Sequence, residues 1–302
     1  MLREPVREIH FHAPGLRRYE TSEYRPDETT RFVAISVTGT ACALACDHCR
    51  MKVLQGMLPL PRRDGGLFDL CAELAARGAR GVLVSGGCDR HGRVPLRPHL
   101  ADLKRVRREL GLVVRVHTGL LDEETAAGLA EVGVDGAMID VIGADETIRE
   151  VYHLDATVAD YESALALLER YHIPAVPHIV LGLHYGRMLG EHTALEMVAR
   201  HRLSLLVLVV LTPLYGTPMA DVSPPSPEEI GAFFRHARAR LPTVPIVLGC
   251  ARPLGPVKAV IDRLAVDAGL DGIAYPAEGI VEYARGRGLV PRFHDSCCGV
   301  TW

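Results

Sequence analysis

The feature that most constrains this chain is a rhythm. From residue 32 onward, short apolar runs alternate with longer amphipathic stretches. RFVAISV, GVLVSGG, LVVRVHT, GAMIDVIG, AVPHIVLG, SLLVLVVL, VPIVLGC and DGIAYP read as eight strands. Between them, stretches such as LFDLCAELAARG, LADLKRVRREL, DEETAAGLAEVG, YESALALLERY, TALEMVARH, SPEEIGAFFRHARARL, PVKAVIDRLAVDAG and EGIVEYARGRG read as helices, several closed by glycine. Strands that are apolar along nearly their whole length must be buried on both faces, so the alternation predicts a parallel sheet covered by helices. Eight units across residues 31–290 predict one (β/α)8 TIM-type barrel. Residues 1–30 fall outside the rhythm and are expected to form an N-terminal extension across an end of the barrel. Residues 291–302 are expected to form a tail without a helix. In SPPSPEE, Ser226 is expected as a helix N-cap and Pro227 as the first helical residue.

Composition narrows the function. A chain of 302 residues, 48% hydrophobic, is long enough for such a core. A net charge of -3 offers no basic field for phosphate backbones, so small or protein-borne substrates are expected and nucleic acid is not. The start MLREPVREIHFHAPG lacks the apolar run of a signal peptide, and no later stretch gives the roughly 18 uncharged apolar residues of a membrane span. A cytoplasmic protein without a membrane partner is expected.

Eight cysteines in a reduced compartment point to metal binding or catalysis rather than to disulfides. Their placement agrees: Cys42, Cys46 and Cys49 cluster, Cys297 and Cys298 adjoin, and Cys71, Cys88 and Cys250 stand apart. Directly after the first strand, TGTACALACDHCRMKVL carries C-x3-C-x2-C. Three thiolates with no fourth nearby hold three irons of a cubane and leave one open to an exogenous ligand. The alternative is a zinc knuckle completed by His48 or a remote histidine, but zinc pairs usually come as C-x2-C twice. His117 ends the third strand and His178 lies in the fifth, where each is either a core residue or a group facing the barrel interior. Asp140, at the end of the fourth, is either a cap or an acceptor for sugar hydroxyls. Cys71 sits on the apolar face of a helix and reads as core. His10 and His12 form an H-x-H pair that a surface strand explains.

C-x3-C-x2-C in the loop after strand one of a (β/α) barrel resembles the radical S-adenosylmethionine (SAM) superfamily. The resemblance implies a [4Fe–4S] cluster on Cys42, Cys46 and Cys49, whose open iron chelates SAM and, once reduced, cleaves it to a 5′-deoxyadenosyl radical. Val84-Ser85-Gly86-Gly87-Cys88 is similar to the superfamily's Gly-Gly-Glu segment, whose backbone receives the methionine amino group; here Cys88 replaces Glu. His48 takes the place of the usual aromatic residue before the third cysteine and is planar enough to stack on adenine. Asp140, His117 and His178 then become candidate SAM contacts.

HTGLLDEETAAGLAEVGVDGAMIDV, YESALALLERYHIPAVPHIVLGL and TPLYGTPMAD resemble, in order and spacing, parts of biotin synthase, so the likeness covers roughly residues 30 to 290. Biotin synthase implies a second, interior iron–sulfur cluster that donates sulfur, held by strand cysteines and an arginine. Here Cys88 and Arg252 match in position, but His117 and His178 stand where strands three and five would need cysteines. Cys88, Cys250, Cys297 and Cys298 are expected to assemble that auxiliary cluster if the tail returns over the barrel mouth.

Among biotin synthase-related families, the nearest resemblance is to the two-protein lipoyl synthase. It implies hydrogen abstraction from an unactivated carbon and sulfur insertion into a protein-bound octanoyl group. The implied partners are an electron donor such as ferredoxin or flavodoxin, a second radical SAM subunit and a lipoyl-domain protein. The alternatives are a radical SAM methylase, mutase or cyclising enzyme, or a non-catalytic iron–sulfur subunit.

Overall fold

A computed structural model describes residues 7–13, 19–26, 31–60 and 66–300; the remainder of the expected N-terminal extension and the last two residues of the tail lie outside the described residues. All eight strands of the sequence rhythm form: β2 (Phe32–Ser36), β4 (Gly81–Ser85), β5 (Val113–His117), β6 (Gly136–Asp140), β7 (Ala175–Leu181), β8 (Leu206–Val210), β9 (Ile246–Leu248) and β10 (Gly272–Ala274). Three more join them: β1 (Glu8–His12), β3 (Leu58–Pro59) and β11 (Val290–His294). Together they make one eleven-stranded sheet in the order β11-β1-β10-β9-β8-β7-β6-β5-β4-β2-β3, every pair parallel. The sheet curls as a barrel wall, and among the described residues no ladder joins β11 to β3.

Nine helices alternate with these strands among the described residues: α1 (Leu67–Ala76), α2 (Leu100–Leu110), α3 (Glu123–Val132), α4 (Asp145–Val151), α5 (Val158–Arg170), α6 (Glu191–Val198), α7 (Pro227–Arg240), α8 (Pro256–Asp267) and α9 (Ile280–Gly286). The short α4 was not legible in the sequence. At the start of α7, Ser226 and Glu229 exchange the two hydrogen bonds of a capping box, with Pro227 in the first turn; α5 begins the same way with Thr157 and Asp160. Such a cap contributes about 1 kcal/mol.

The apolar strands are buried throughout: all five residues of β8 are closed to solvent. Each such Val or Leu contributes about 1.5–3 kcal/mol of transfer free energy, which is the reason the pattern dictates the architecture.

Among the described residues of the N-terminal extension, Glu8–His12 form a strand of the sheet, while Tyr19, Ser22 and Tyr24 hydrogen-bond Pro276, Glu278 and His294 at or past the ends of β10 and β11. Its strand β1 pairs with β10 on one side and β11 on the other, placing His10 opposite Gly272 and Arg292. Its alternation explains why: Ile9 and Phe11 are fully buried under the helices, while His10 and His12 point to the opposite face. That face is also closed, with both histidines buried, so the surface-strand reading of the H-x-H pair is corrected.

At the seam between β9 and β10 sits a fully buried ion pair. Arg252 Nε meets Asp262 Oδ1 of α8 at 2.6 Å, and the guanidinium also donates to the carbonyls of Gly249 (2.7 Å), Ala274 (2.7 Å) and Tyr275 (3.0 Å). Asp262 is satisfied in turn by Lys258 at 3.1 Å and by the backbone N–H of Ala277 at 2.7 Å. This closed network fixes the turn that carries Cys250.

Candidate active site

In a parallel barrel the loops at the C-terminal strand ends share one face, and the three-cysteine loop leaves β2 at that face. The loop is held from several sides. Ala43 N–H bonds to Cys88 O at 2.8 Å, and Asp47 N–H to Val151 O at 2.9 Å. The Asp47 carboxylate takes Arg50 (3.0 Å), His153 Nε2 (3.0 Å) and Tyr185 Oη (2.8 Å). Non-glycine residues in the left-handed region mark the same place: Ala45, Arg50 and Met51 lie in the loop, and His153 and Tyr185 are partners of Asp47. Such strain persists only where the surroundings over-determine it.

Within the loop, Cys46 is buried and Cys42 and Cys49 are half-buried. The Cys49 thiol is driven down to about 4, first by a hydrogen bond from Cys46 and, against the opposing pull of burial, by His48 and the backbone N–H of Met51. Cys46 moves up for the complementary reason, its hydrogen bond to Cys49 and its burial. His48 packs against Tyr152 with ring centroids 5.1 Å apart, and its buried Nδ1 has no hydrogen-bond partner. Three soft sulfur donors and an unanswered buried imidazole nitrogen suit an iron–sulfur cluster with a ligand stacked beside it.

The second strand end closes on this loop. Gly87 N–H donates to Thr38 Oγ1 at 2.7 Å, and a Cβ on Gly87 would stand 2.0 Å from Ala41 O and 2.5 Å from Cys42 Cβ. Only glycine lets the two backbones approach so closely. Ser85 is buried below it, and its carbonyl accepts from Val37 N–H at 2.8 Å.

Residues of three further strands meet beside the loop: His117 ends β5, Asp140 ends β6 and His178 lies within β7. His117 Nε2 is 3.6 Å from Asp140 Oδ1, the His117 and His178 rings lie 5.9 Å apart, and one ligand atom from each of the three residues falls within 4.8 Å of the others. Burial pushes the Asp140 carboxyl up, but the hydrogen bond and charge of His117, with His178 and His48 beyond, outweigh it and hold the group at about 2. Burial takes His178 down to about 4. Its Nδ1 is 3.1 Å from Val176 O, which fixes the tautomer with the proton on Nδ1. His48, Asp140, His117 and His178 thus share one mouth with the cysteine loop and Gly86-Gly87.

The four remaining thiols expected to act together are divided. Cys88 stands with the cysteine loop, its thiol pushed up to about 12 by burial and by the charges of Cys42 and Asp140. Cys250, Cys297 and Cys298 instead contact one another: Cys298 hydrogen-bonds both others. Of the thiols expected to join Cys297 or Cys298, Cys250 lies with the tail pair, whereas Cys88 lies with the cysteine loop.

The tail enters the barrel rather than covering it. Cys297 is 5% and Cys298 2% exposed, and Gly299 packs on Met138 of β6 and Val176 of β7. Those residues precede Asp140 and His178 by two on the same strand faces, so the tail lies one side-chain layer beneath the mouth. Its entry is anchored by the β1 histidines. His10 Nδ1 and His294 Nε2 are 2.8 Å apart, and His294 stacks on His12.

The arginine at this inner site is not Arg252, whose guanidinium is committed to Asp262. It is Arg115 of β5, buried, whose positive charge, after the hydrogen bonds from Cys298 and Gly299 N–H, helps lower the Cys297 thiol. Gly136 on the neighbouring strand makes the space: a Cβ there would meet an Arg115 nitrogen at 1.9 Å. The sequence signal was available, since Arg115 is the one formal charge in LVVRVHT.

Residues 36–198, more than half the chain, match the family model described as the radical SAM superfamily. The chain belongs to the radical SAM superfamily. It is similar to a biotin synthase of Prochlorococcus marinus, 25% identical over 283 residues, covering 91% of this chain and 82% of that protein. A biotin synthase of Syntrophotalea carbinolica is 32% identical over 176 residues, covering 55% of this chain and 51% of that protein. Among solved structures, methylornithine synthase shares the fold with a TM-score of 0.57 at 15% identity, covering 87% of this chain and 84% of that one. Membership in the radical SAM superfamily implies a [4Fe–4S] cluster and SAM, and the donor set at the mouth fits both. No helix among the described residues is long and apolar enough to cross a membrane.

Proposed function

We propose that this radical SAM enzyme inserts sulfur at an unactivated carbon, as one component of a lipoyl synthase acting on a protein-bound octanoyl group. The observation that supports the reading is the meeting of half-buried Cys250 with the buried Cys297 and Cys298, near the Arg115 guanidinium. Three soft donors offset by one positive charge suit a second, anionic iron–sulfur cluster, which in this reading is the sulfur source.

With the [4Fe–4S] cluster and SAM bound, the site supplies the 5′-deoxyadenosyl radical that abstracts hydrogen. The chain's own residues do the placing. Cys42, Cys46 and Cys49 would hold the cluster; Gly86 and Gly87 would offer bare backbone to the methionine end of SAM; Asp140 would accept from its ribose hydroxyls; and His48 would stack on adenine. The buried tail keeps water from the interior between the two sites, where a carbon radical would be quenched. An electron donor such as ferredoxin or flavodoxin, a second radical SAM subunit and a lipoyl-domain protein are the partners this reading requires, in the cytoplasm.

The test compares the anaerobically reconstituted full chain with Cys298→Ser and with a variant lacking residues 297–302. The reading expects about half the iron to be lost, 5′-deoxyadenosine formation to remain, and thiolated product to vanish. Undiminished iron in both variants overturns it in favour of a radical SAM methylase, mutase or cyclising enzyme.

A further inference from the structure

The trio of His117, Asp140 and His178 is larger than a SAM contact requires. Asp140 alone offers two oxygens to ribose hydroxyls, yet two imidazoles from the flanking strands converge on it. We infer that His117, Asp140 and His178 form a binding site for one divalent first-row cation at the barrel mouth, separate from both groups of cysteines.

Three observations carry this. First, the donor atoms are already gathered: one from each residue lies within 4.8 Å of the others, with His117 Nε2 and Asp140 Oδ1 at 3.6 Å. Ligand atoms around one ion with bonds of about 2.0–2.2 Å stand roughly 3–3.5 Å apart, so small side-chain rotations close the set. Second, His178 is oriented as a ligand: its Nδ1 is committed to the Val176 carbonyl at 3.1 Å, which turns the Nε2 lone pair outward. A second hydrogen bond of this kind, to a carbonyl or carboxylate, is what fixes ring and tautomer in metal-bound histidines. Third, all three side chains come from strands of one sheet, His117 and Asp140 at the ends of β5 and β6 and His178 within β7, and Asp140 and His178 are paired directly across the β6–β7 ladder.

Two imidazoles and one carboxylate on one side of an ion leave its other positions open, the arrangement that suits Fe(II), Mn(II) or Zn(II) with oxygen ligands. The His117 and Asp140 side chains keep 25% and 33% of their surface exposed, so the open positions face the mouth. The ligand expected there is an oxygen donor of the substrate, such as an amide or carboxylate oxygen. The second oxygen of Asp140 remains available to SAM.

Mn(II) tests the site without disturbing the clusters, because hard ions take nitrogen and oxygen in preference to thiolate. The cluster-reconstituted protein is titrated with Mn(II), free ion being read by its EPR signal, beside His178→Ala, His117→Gln and Asp140→Asn. The site requires one tight equivalent in the parent protein and at least tenfold weaker binding in each variant. The absorbance of the iron–sulfur protein and the melting temperature show that each variant is folded. The near-isosteric Asp140→Asn covers the case in which a histidine variant fails that check. Absence of a stoichiometric site in the parent, or unchanged affinity in the folded variants, overturns the inference. Iron content is read separately and reports on the cysteine sites instead.

Discussion

Gly87→Ala is the sharpest test of how the mouth is assembled. The new methyl carbon would stand 2.0 Å from Ala41 O, 2.5 Å from Cys42 Cβ and 2.7 Å from Cys42 Cα. Ordinary contact begins near 3.4 Å, so the loop must retreat by about 1.4 Å at Ala41 O and about 0.9 Å at Cys42, the residue bearing the first thiolate. The neighbours are backbone atoms pinned by the Ala43–Cys88 and Gly87–Thr38 hydrogen bonds, so no flexible side chain gives way. Overpacking of this kind costs about 1–3 kcal/mol, and a displacement of about 1 Å at a reacting group costs on the order of a hundredfold in rate. The expected outcome is a folded barrel whose rate of 5′-deoxyadenosine formation falls by about two orders of magnitude. The assay is reductive SAM cleavage by dithionite-reduced protein, followed by chromatography. A variant with the parent's iron content and rate would refute the claim that backbone contact at Gly87 sets the position of Cys42.

Other consequences are as direct. Cys42→Ala, Cys46→Ala and Cys49→Ala should each remove about four irons and end SAM cleavage while the melting temperature changes little; iron and nucleoside assays check this. Asp262→Ala should destabilise the fold by about 3–5 kcal/mol in denaturant melts, because it strands the buried Arg252 charge; a loss below 1 kcal/mol would contradict the closed network. Burial holds His10 and His178 at about 4, below the ordinary 6.5, so the fold keeps them neutral while the unfolded chain takes up protons between those values. Their stabilisation is therefore complete above pH 6.5 and is lost as pH falls toward 4, and His178→Gln should flatten that slope in melts across the interval.

The sequence carried the wall of the barrel because its eight apolar runs have no stable alternative to double-sided burial. It carried the three-cysteine loop because the ligands are contiguous. Asp140, His117 and His178 were found singly, on separate strands, but their convergence depends on register, which periodicity does not give. Cys88 was misgrouped for the same reason: its position at the end of β4 is local information, whereas the direction in which the β4 turn leans is set by Gly87 against Cys42. The strand at His10 and His12 was read as a surface strand because histidines read as polar, whereas β1 is buried on both faces; Arg115 was missed because a charge inside an apolar run was not weighed as a signal. Arg252 looked suited to the inner site until its partner, Asp262, was seen on the following helix.

The pairing of β1 with β10 has a kinetic side. His10 lies opposite Gly272, so this ladder closes a loop of about 260 residues, whereas β4 to β9 join neighbours one repeat away. Contacts of such separation form late, because the entropy of closing the loop must be met before any pairing rewards it. The three-cysteine loop and its β4 support depend on short-range contacts, but the inner thiols depend on β11 and on the histidines of β1 that anchor the tail. The two groups of cysteines are therefore expected to assemble in order during folding, the inner thiols coming together only once the first and last strands meet.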